Sequence, residues 1–568
     1  MLRLGQLAVT LLALVSSATA WHRLERAHGA DTMELRIQLQ AEADLAAQLA
    51  AVSDVTSATY GRYLSNLDTA ARPSDAAAAA MQALLGKYNP DVSRAGDLWR
   101  VTLPVADVEM LFDTKVHAYS LETHRILRAS NGVVMPDSIA AHVVLIDGLD
   151  RLPRTKARAS RRRLQYGGNN PLASVVTIET LQEQYRLPKD LDSSYDGNGI
   201  VIGTFLEETY METDIASYLG VNGQAPLSVM PAQRNCIGNG TGKTATSEAS
   251  LDAQLIAGLT RNNATTVLCY NELRLPDEPA SDANQEPFLR FMRDVNALEP
   301  APSVVSISYA DDECALPLSY RNALDLEFIK AGLRGTTVVV ASGDNGVVGS
   351  RYLEDFGPKL CAKYQPSYPS SSPYIVSVGA TVNVGGKETG LSIRNGGAIT
   401  TGGGFSADSP RPSYQASAVD AYVARHTLDT PRFNVSGRAY PDVSALGHNI
   451  ALYIAGFYTS CDGTSASAPI VAAIISHLNK HRLRHGHPKF GFINPYLYKL
   501  YEVCPFIFND IVAGENGCGA LNQPCCDNGF AAGFGWDPIG GLGSINYHAF
   551  ETNMRACEAH MKKSTATP

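Results

Sequence analysis

The sequence predicts an α/β protein in which helices cover both faces of a mostly parallel sheet, preceded by a smaller α/β unit. Short apolar runs rich in valine and isoleucine recur through the later part of the chain, as strands buried on both faces do. Helical stretches alternate with these runs, which is the pattern of a doubly wound sheet. The chain has 568 residues, too many for one core, so we expect at least two domains.

The strands of the larger domain are the apolar runs themselves. They are GIVIGTFL (199–206), PSVVSISY (302–309), GTTVVVASGD (335–344) and YIVSVGAT (374–381). Helices are predicted between them at 247–259 and 319–333. In a sheet of this kind, ligands bind at the carboxyl ends of the strands. We therefore look for chemistry just after each run.

The smaller unit spans residues 21 to about 150, is rich in alanine and has no cysteine. Its predicted strands are MELRIQLQ (33–40), LWRVTLP (98–104) and HVVLIDGL (142–149). DAAAAAMQALLGKY (75–88) predicts a helix, with Asp75 as its N-cap. The alternation again favours a small α/β unit.

The segments before and after this unit have distinct compositions. The first 20 residues combine Arg3, the apolar run LAVTLLALV and a small-residue ATA site, which is typical of a secretory signal. The run is too short for a membrane anchor, the alternative interpretation. RTKARASRRR (154–163) reads as an exposed linker open to proteolysis rather than a surface for an acidic partner. The predicted parts are a signal segment (1–20), a removable prosegment domain (21–153), a basic cleavable linker (154–168) and the larger α/β domain (169–560).

The overall composition excludes some classes of function. A net charge of −9 gives no support to nucleic-acid binding, and no other apolar run is long enough to span a membrane. The ten cysteines, all at or after Cys236, fit an oxidising compartment. A crowded group of four predicts disulfides, since a zinc site would need paired C-x2-C spacing; its members are Cys504, Cys518, Cys525 and Cys526. Glycosylation sequons begin at Asn239, Asn263 and Asn434.

The stretch CDGTSASAP (461–469) suggests a serine nucleophile. Ser465 follows a glycine and precedes an apolar helix, near the positive end of the helix dipole. Ser467 stands where a G-x-S-x-G elbow would have glycine, so the α/β-hydrolase motif is absent. Close packing of small residues is the alternative explanation of the string.

A serine nucleophile needs a base, and histidine is scarce here. Residues 143–425 contain none, and His426 and His448 read as ordinary surface or satisfied histidines. In SEASLDAQL, Glu248 and Asp252 share one face of a predicted helix. If buried, two such carboxylates would share a proton and act as an acid–base pair; if exposed, they form a solvated face.

Asp344, in ASGDNG (341–346), follows an apolar strand and begins a turn. It could bond its own backbone, as turn aspartates do. Alternatively, a protonated carboxyl at the catalytic edge of the sheet could donate a hydrogen bond to a developing oxyanion.

These pieces occur together with further motifs in one order along nearly the whole chain. They are YGRYLS, EASLDAQ, VVSISYADDE, VVVASGDNG, YPSSSPYIVSVGAT, TGGGFSADSPRPSYQ, YPDVSAL, GTSASAP, FNDI and GFGWDP. The chain thereby resembles the sedolisin family, the serine-carboxyl peptidases, and most of all its tripeptidyl-peptidase branch. The resemblance implies a subtilisin-like doubly wound domain behind a ferredoxin-like prosegment. It makes Ser465 the nucleophile, Glu248 the general base, Asp252 the carboxylate that orients it and Asp344 the oxyanion-hole acid.

The resemblance also implies a function. We expect an acid-active peptidase made as a secreted zymogen, which forms an acyl-enzyme and releases tripeptides from the free amino termini of peptides or proteins. Its own prosegment would act as intramolecular inhibitor and chaperone, and its destination would be a lysosome, a vacuole or the exterior. An acid endopeptidase of the same family and a silent, calcium-stabilised binding protein are the alternatives.

Two further sets of residues come from the resemblance. A structural calcium ion would be held by the Asp510 and Asp537 side chains and by the carbonyls of Ile511, Gly533 and Gly535, all oxygen donors as a hard cation requires. The substrate strand would lie along VVSISY (304–309), with Ser306 and Ser308, and along TGGG (401–404), with Gly402, Gly403 and Gly404. Asp311 and Asp312 would either receive a substrate amino terminus or form a solvated acidic turn. The chain departs from the family at Asp462, where serine is usual before GTS.

Overall fold

The computed structural model describes residues 21–67, 71–88, 90–121, 124–150, 152, 175–189, 198–205, 208–234, 245–270, 287–350 and 361–564. The predicted signal segment, the basic linker and Asn239 lie outside these residues. Among the described residues, no helix is both long and apolar enough to cross a bilayer. The described chain divides into two units.

The first unit comprises the described residues of 1–45 and 66–161. Its four-stranded antiparallel sheet has the order Asp91–Ala95, Leu98–Pro104, Thr32–Leu39, Val143–Asp147. Helices Asp75–Leu85 and Val105–Leu111 cross between strands, which gives the β-α-β-β-α-β order of ferredoxin-like folds. A second antiparallel sheet and a short helix complete the unit: His22–Arg26, Val116–Leu121, His124–Ala129 and Asp137–Ala140.

The N-cap predicted for the first of these helices is wrong by one residue. Ser74 has extended backbone angles, and its hydroxyl accepts a hydrogen bond from Ala77 N at 3.1 Å. Asp75 lies inside the first turn instead. Only a residue just outside the helix can turn its side chain back onto the free N–H groups, so Ser74 is the cap.

The second unit comprises the described residues of 46–65, 162–270 and 288–568 and contains the large sheet. In spatial order its strands are Phe508–Asn509, Ser544–Ile545, Val443–Leu446, Val376–Val384, Thr337–Ala341, Val304–Ile307, Ile200–Thr204, Thr265–Cys269 and Ala232–Arg234. Neighbours are parallel except at the first pair, and Lys387–Gly390 runs antiparallel to Val376–Val384. The predicted doubly wound α/β fold is thus confirmed.

Helices cover this sheet, and smaller hairpins extend from it. The helices are Leu45–Ser53, Ile178–Tyr185, Glu212–Val221, Ser247–Thr260, Phe288–Asn296, Leu318–Leu333, Ala416–Arg425, Thr464–Arg484, Asn494–Val503 and Tyr547–Ser564, with short 3-10 turns at Glu313–Ala315, Ile393–Asn395, Ser413–Gln415, Thr430–Arg432 and Pro505–Ile507. Antiparallel pairs join Asp311–Asp312 to Ser367–Tyr368, Gly404–Pro410 to Gly437–Tyr440, and Ile450–Ile454 to Phe457–Cys461.

Two of these helices position the site. We call Ser247–Thr260 the carboxylate helix and Thr464–Arg484 the serine helix. They pack against each other, and the serine helix also contacts strands Val304–Ile307 and Thr337–Ala341. All residues of the carboxylate helix after Ser247 are buried. A helix enclosed on every side must bury its polar side chains as well as its apolar ones.

Residues 46–65, which the sequence places in the prosegment, pack within the second unit. The Tyr63 hydroxyl donates to Lys489 O at 2.9 Å, and Leu64 N donates to Leu333 O at 2.8 Å. The ring of Tyr63 lies against Gly335 and Gly491, both with positive φ, where any β-carbon would collide with it.

The crowded cysteines form disulfides, which removes the zinc alternative for this segment. The bonds are Cys361–Cys526, Cys504–Cys557 and Cys518–Cys525. Two of them tie the loop to distant parts of the unit, so the loop is anchored rather than stapled only to itself. Cys461 keeps a buried free thiol.

One buried ion pair yields a stability prediction. Arg438 and Asp442 are both fully buried and 2.6 Å apart, and Asp442 also accepts from Tyr498 OH at 2.9 Å and Ser377 N at 2.8 Å. Asp442→Ala leaves Arg438 without a counter-charge and should lower the free energy of unfolding by about 3–5 kcal/mol. Urea unfolding in a Ser465→Ala background measures this without self-digestion. Asp420→Ala removes the carboxylate paired with Arg411, and because Asp420 is 70% exposed the loss should be under about 1 kcal/mol. Equal losses in the two variants would contradict the prediction.

Candidate active site

The carboxylate helix begins against another acidic side chain, Glu208. Glu208 Oε2 accepts hydrogen bonds from the backbone N–H groups of Glu248 at 3.2 Å and Ala249 at 3.5 Å. The N-cap residue Thr246 makes no capping bond of its own, because its hydroxyl accepts from Thr209 N at 2.8 Å and donates to Thr209 O at 2.9 Å. Glu208 thus fills the capping role at the positive end of the helix. Its burial raises its pKa, although hydrogen bonds from Thr246, Ala249 and Glu248 oppose the rise.

Glu248 and Asp252 lie one turn apart on the carboxylate helix, 3% and 0% exposed. The solvated-face alternative is therefore wrong. Burial raises the pKa of both carboxyls well above their usual range, and the charge of Asp252 raises that of Glu248 further. No basic side chain of the described residues forms a salt bridge with either. Glu248 Oε1 and Asp252 Oδ2 have no hydrogen-bond partner among those residues, so the pair has room to hold a proton.

Ser465 is the second residue of the serine helix, behind Gly463 as N-cap. Its hydroxyl donates to Ser308 O at 3.3 Å, and it lies close enough to the Glu248 carboxyl to lower the pKa of Glu248 against the effect of burial. The predicted helix entrance is therefore present. The nucleophile candidate and the base candidate meet in the structure.

Ser308 connects the two helices. Pro469 has no N–H, so it cannot donate to the carbonyl of Ser465 four residues earlier. Ser308 Oγ approaches that carbonyl to 3.1 Å and lies 2.7 Å from Asp252 Oδ1. One hydroxyl thereby holds Asp252 and the first turn of the serine helix in register, and its hydrogen bond lowers the pKa of Asp252 against the effect of burial.

Asp344 lies beyond the carboxyl end of strand Thr337–Ala341 and is half-buried. Its Oδ1 accepts from Thr464 N at 2.9 Å and from Thr464 Oγ1 at 2.7 Å. The carboxyl group thus bonds the residue before Ser465 rather than its own turn. Its charge adds to the rise in the pKa of Glu248, which places it in the same electrostatic cluster.

The residues expected along the substrate strand are mostly buried. Ser306 lies inside strand Val304–Ile307, and Ser308 is occupied as described above. Asp311 and Asp312 are only 4% and 3% exposed, so the solvated-turn alternative is wrong. Asp312 Oδ1 accepts from Ser350 N at 2.9 Å.

The glycines of TGGG serve close packing within the chain itself. A β-carbon on Gly402 would lie 2.3 Å from Ser342 O, and one on Gly403 would lie 1.7 Å from Pro538 O. Gly404 has φ +150° and begins strand Gly404–Pro410. Gly402 N donates to Gly343 O at 2.7 Å, which ties this segment to Asp344.

The expected calcium ligands gather in one loop region. Asp510 Oδ2 accepts from Gly535 N at 2.9 Å, and Asp537 Oδ2 accepts from Gly533 N at 2.8 Å. Burial raises the pKa of Asp537 to about 7, and the Asp510 charge adds to the rise. Two carboxylates that repel each other, beside backbone carbonyls such as that of Ile511, form a donor set that fits a hard cation. No group of three His, Cys, Asp or Glu side chains in the described residues, this region included, is arranged for a metal.

The remaining predicted positions are peripheral to the carboxylate cluster. Of the sequons, Asn434 is exposed and Asn263 half-buried. His426 bonds Tyr422 O and His448 bonds Asp462, so both are satisfied as expected. Sequence reasoning missed Glu208, although its position just after a predicted strand could have drawn attention to it.

Comparisons with known proteins show which families this chain resembles. The family description "Pro-kumamolisin, activation domain" matches residues 19–152, and "Subtilase family" matches residues 279–485. The chain is 32% identical to tripeptidyl-peptidase 1 of Bos taurus over 563 residues and to that of Homo sapiens over 561 residues. Each alignment covers 93% of this chain and 92% of the relative.

Among solved structures, a Pseudomonas sedolisin, described as a serine-carboxyl proteinase, matches with a TM-score of 0.48 and 22% identity. The match covers 69% of this chain and 99% of that one.

The buried carboxylates make stability depend on pH in a defined direction. A folded-state pKa above the unfolded value means that stability is full below the unfolded pKa and is lost as pH rises through the folded one. In a Ser465→Ala background, Glu248→Gln should therefore raise Tm at about pH 7 by about 2–4 °C, the shift that ~1 kcal/mol produces. The gain should shrink toward about pH 4, near the ordinary glutamate pKa.

Differential scanning fluorimetry across pH measures this. Glu502→Gln, at a surface residue 42% exposed, is the control and should leave Tm unchanged at every pH. A Glu248→Gln variant that is less stable at neutral pH than its parent would show that the buried carboxylate is a stabilising charge, against the prediction.

Proposed function

We propose an acid-active peptidase that releases tripeptides from free amino termini, on the premise that the chain belongs to the sedolisin family of serine peptidases, with tripeptidyl-peptidase 1 proteins as its relatives. The observation that carries the proposal is the Ser465 hydroxyl facing a buried pair of carboxylates, with no histidine of the described residues bonded to it. A base of this kind works in acid, where a histidine would be charged and unable to accept a proton.

In the proposed mechanism, Glu248 takes the proton of Ser465 as the oxygen attacks the scissile carbonyl carbon. The carbonyl π electrons move onto oxygen, and Asp344, protonated, donates a hydrogen bond to that oxyanion. The intermediate then collapses: the oxyanion re-forms the carbonyl, the C–N bond breaks, and Glu248 returns its proton to the leaving amine. The result is an acyl-enzyme on Ser465 and a free amine.

Asp252 is proposed to keep Glu248 in position and to share its proton. The two groups titrate as a pair, because removing the second proton would place two adjacent charges in a dry site. Ser308 holds Asp252 in place at 2.7 Å.

In the deacylation step, water attacks the acyl carbon while Glu248 takes a proton from that water. The bond between the acyl carbon and Ser465 Oγ then breaks, and the serine oxygen receives the proton from Glu248.

Release of tripeptides requires a group that receives the substrate's ammonium. We assign this role to Asp311 and Asp312, whose buried carboxyls suit a desolvated cation better than a surface would. The substrate backbone would lie along Ser306, Ser308 and the Gly402–Gly404 segment. An endopeptidase of the same family is the second candidate and differs only in lacking this end recognition.

We also propose that the enzyme is made as a zymogen, an inactive precursor that is activated by cleavage. The activation-domain match over residues 19–152 supports a prosegment that is removed by cleavage in the basic linker, 154–168. The enzyme would travel the secretory pathway to a lysosome, a vacuole or the exterior, glycosylated at Asn239, Asn263 and Asn434, with its disulfides formed on the way.

The exopeptidase assignment predicts a difference between two substrates. Processed enzyme at about pH 4, where ordinary carboxyls are partly protonated, should cleave a fluorogenic tripeptide amide with a free amino terminus at least about 100-fold faster than its N-blocked form. This follows because the blocked substrate has no ammonium group to interact with the buried carboxyls of Asp311 and Asp312. Ser465→Ala should abolish turnover and leave an unprocessed precursor. Equal cleavage of both substrates would favour the endopeptidase. Cleavage of neither would favour the alternative of a catalytically silent binding protein.

A structural calcium ion at Asp510 and Asp537 predicts that chelation lowers stability. At a free calcium concentration about 100 times Kd, the ion contributes ~2.7 kcal/mol. Chelator should therefore lower Tm, and added calcium should restore it. Asp510→Asn should already have the lower Tm and respond little to chelator, whereas the exposed Asp527→Asn should behave like the parent. An unchanged Tm with and without chelator would count against the site.

A further inference from the structure

Asp462 lies three residues before Ser465, at the end of strand Phe457–Cys461, and is fully buried. Its carboxylate is the meeting point of several segments. Oδ1 accepts from Asn449 N at 2.7 Å, and Oδ2 accepts from Ala398 N at 2.7 Å and from His448 Nδ1 at 2.9 Å. Within the described chain, His448 is the one basic side chain paired with it.

The bond to Ala398 reaches the proposed substrate segment. Two and four residues farther along, Thr400 N donates to Asp344 O at 3.0 Å and Gly402 N donates to Gly343 O at 2.7 Å. Asp462 therefore fixes the start of the segment that runs past Asp344 into TGGG. A shift of Asp462 would displace both the loop before the nucleophile and this segment.

The bonds to Asn449 and His448 close the base of the Ile450–Ile454 and Phe457–Cys461 hairpin. Farther along the hairpin, Tyr453 exchanges two hydrogen bonds with the Gln254 side chain of the carboxylate helix, at 2.7 and 2.8 Å. Gln254 follows Asp252 by two residues. The hairpin thus connects Asp462 to the helix that carries Glu248 and Asp252.

His448 is the exposed end of this arrangement, with 28% of its side chain accessible. Its hydrogen bond to Asp462 raises its pKa, and its partial burial opposes the rise. Among the described residues, Asp462 is the one titratable group that shifts the pKa of His448. Burial raises the pKa of the neighbouring Cys461 thiol, and the charges of Asp462, Glu248, Asp344 and Asp252 add to that rise.

We propose that Asp462 is a positioning residue for Ser465 and for the Gly402–Gly404 segment, and that a protonated His448 holds it in place at acid pH. The proposal rests on the proposed function in so far as Ser465 is the nucleophile. Protonation from solvent would turn the His448–Asp462 hydrogen bond into an ion pair, which tightens the hairpin base where the loop enters the serine helix. The catalytic groups would then be best ordered in acid.

The sign of the effect follows from linkage. A histidine whose folded-state pKa is raised adds stability that is fully present below its unfolded pKa and is lost as pH rises through the folded value. The unfolded value is about 6.5, so about pH 5 and about pH 8 bracket the change. His448→Gln should lower Tm at the lower pH by about 2–4 °C, and at the higher pH by less than half as much. His448→Arg, with a permanent charge, should match the parent in acid and lose less stability than the parent does as pH rises.

This first arm uses the full chain with Ser465→Ala, so its result does not depend on catalysis. His560→Gln, at an exposed histidine in the same unit, is the matched control and should leave Tm unchanged at both pH values. A Tm loss in His448→Gln that is equal at both pH values, or absent, would overturn the proton-dependent pairing.

The second arm separates positioning from mere stability. With the active enzyme in acid, His448→Gln should lower kcat about tenfold and Asp462→Asn about ten- to 100-fold, the scale expected for misplaced reacting groups. His448→Arg should restore kcat to within about twofold of the parent. The assay temperature is set well below every Tm, so that only folded enzyme is compared. A normal kcat in His448→Gln would overturn the positioning role; inactivity of the parent itself would instead refute the proposed function and leave the Tm arm standing.

Discussion

A carboxylate that leaves water without a counter-charge is costly unless it keeps a proton, and this chain buries two of them on one turn of helix. Glu248 and Asp252 lie among apolar residues, with Glu208 and Asp344 adding negative charge rather than relieving it. These carboxyl groups can stay buried together only if they share protons, so that they are not all charged at once. Its chemistry follows, because a carboxylate whose pKa is raised by burial is a stronger base than an ordinary one and can take a proton from a serine and return it to an amine.

Hydrogen bonds from the rest of the fold take the place of a counter-charge in this cluster. The parallel strands end at one edge, and Ser308 and Asp344 follow two adjacent strands there. Glu208 satisfies the first N–H groups of the carboxylate helix, while Pro469 leaves a carbonyl that Ser308 approaches. Each of these contacts replaces water with a fixed dipole. Preorganisation of this kind needs rigid packing, and the glycines at 402 and 403 provide it by letting backbones touch.

The sequence predicted the elements of this fold better than their connections. Valine-rich runs stand out because strands buried on both faces need no polar alternation. The helices predicted at 247–259 and 319–333 differ by one residue at one end from the observed Ser247–Thr260 and Leu318–Leu333. The nucleophile and its acidic partners were identified mainly by resemblance, since spacing alone left Glu248 and Asp252 open to a solvated interpretation. Glu208 and the tie made by Ser308 were missed because they join segments far apart in the chain. Asp311 and Asp312 look like a surface turn until pairing with Ser367–Tyr368 buries them.

The protonation state of the buried pair is accessible to infrared spectroscopy. The carboxylic-acid C=O band can be followed against pH in Ser465→Ala protein, and the difference from Glu248→Gln and Asp252→Asn variants isolates the pair from other acids. We predict a band, absent in those variants, that persists above about pH 6, where ordinary aspartate and glutamate are ionised. Loss of that band by about pH 5, together with the bulk of the carboxyls, would show that the pair carries two charges and would contradict the shared-proton site.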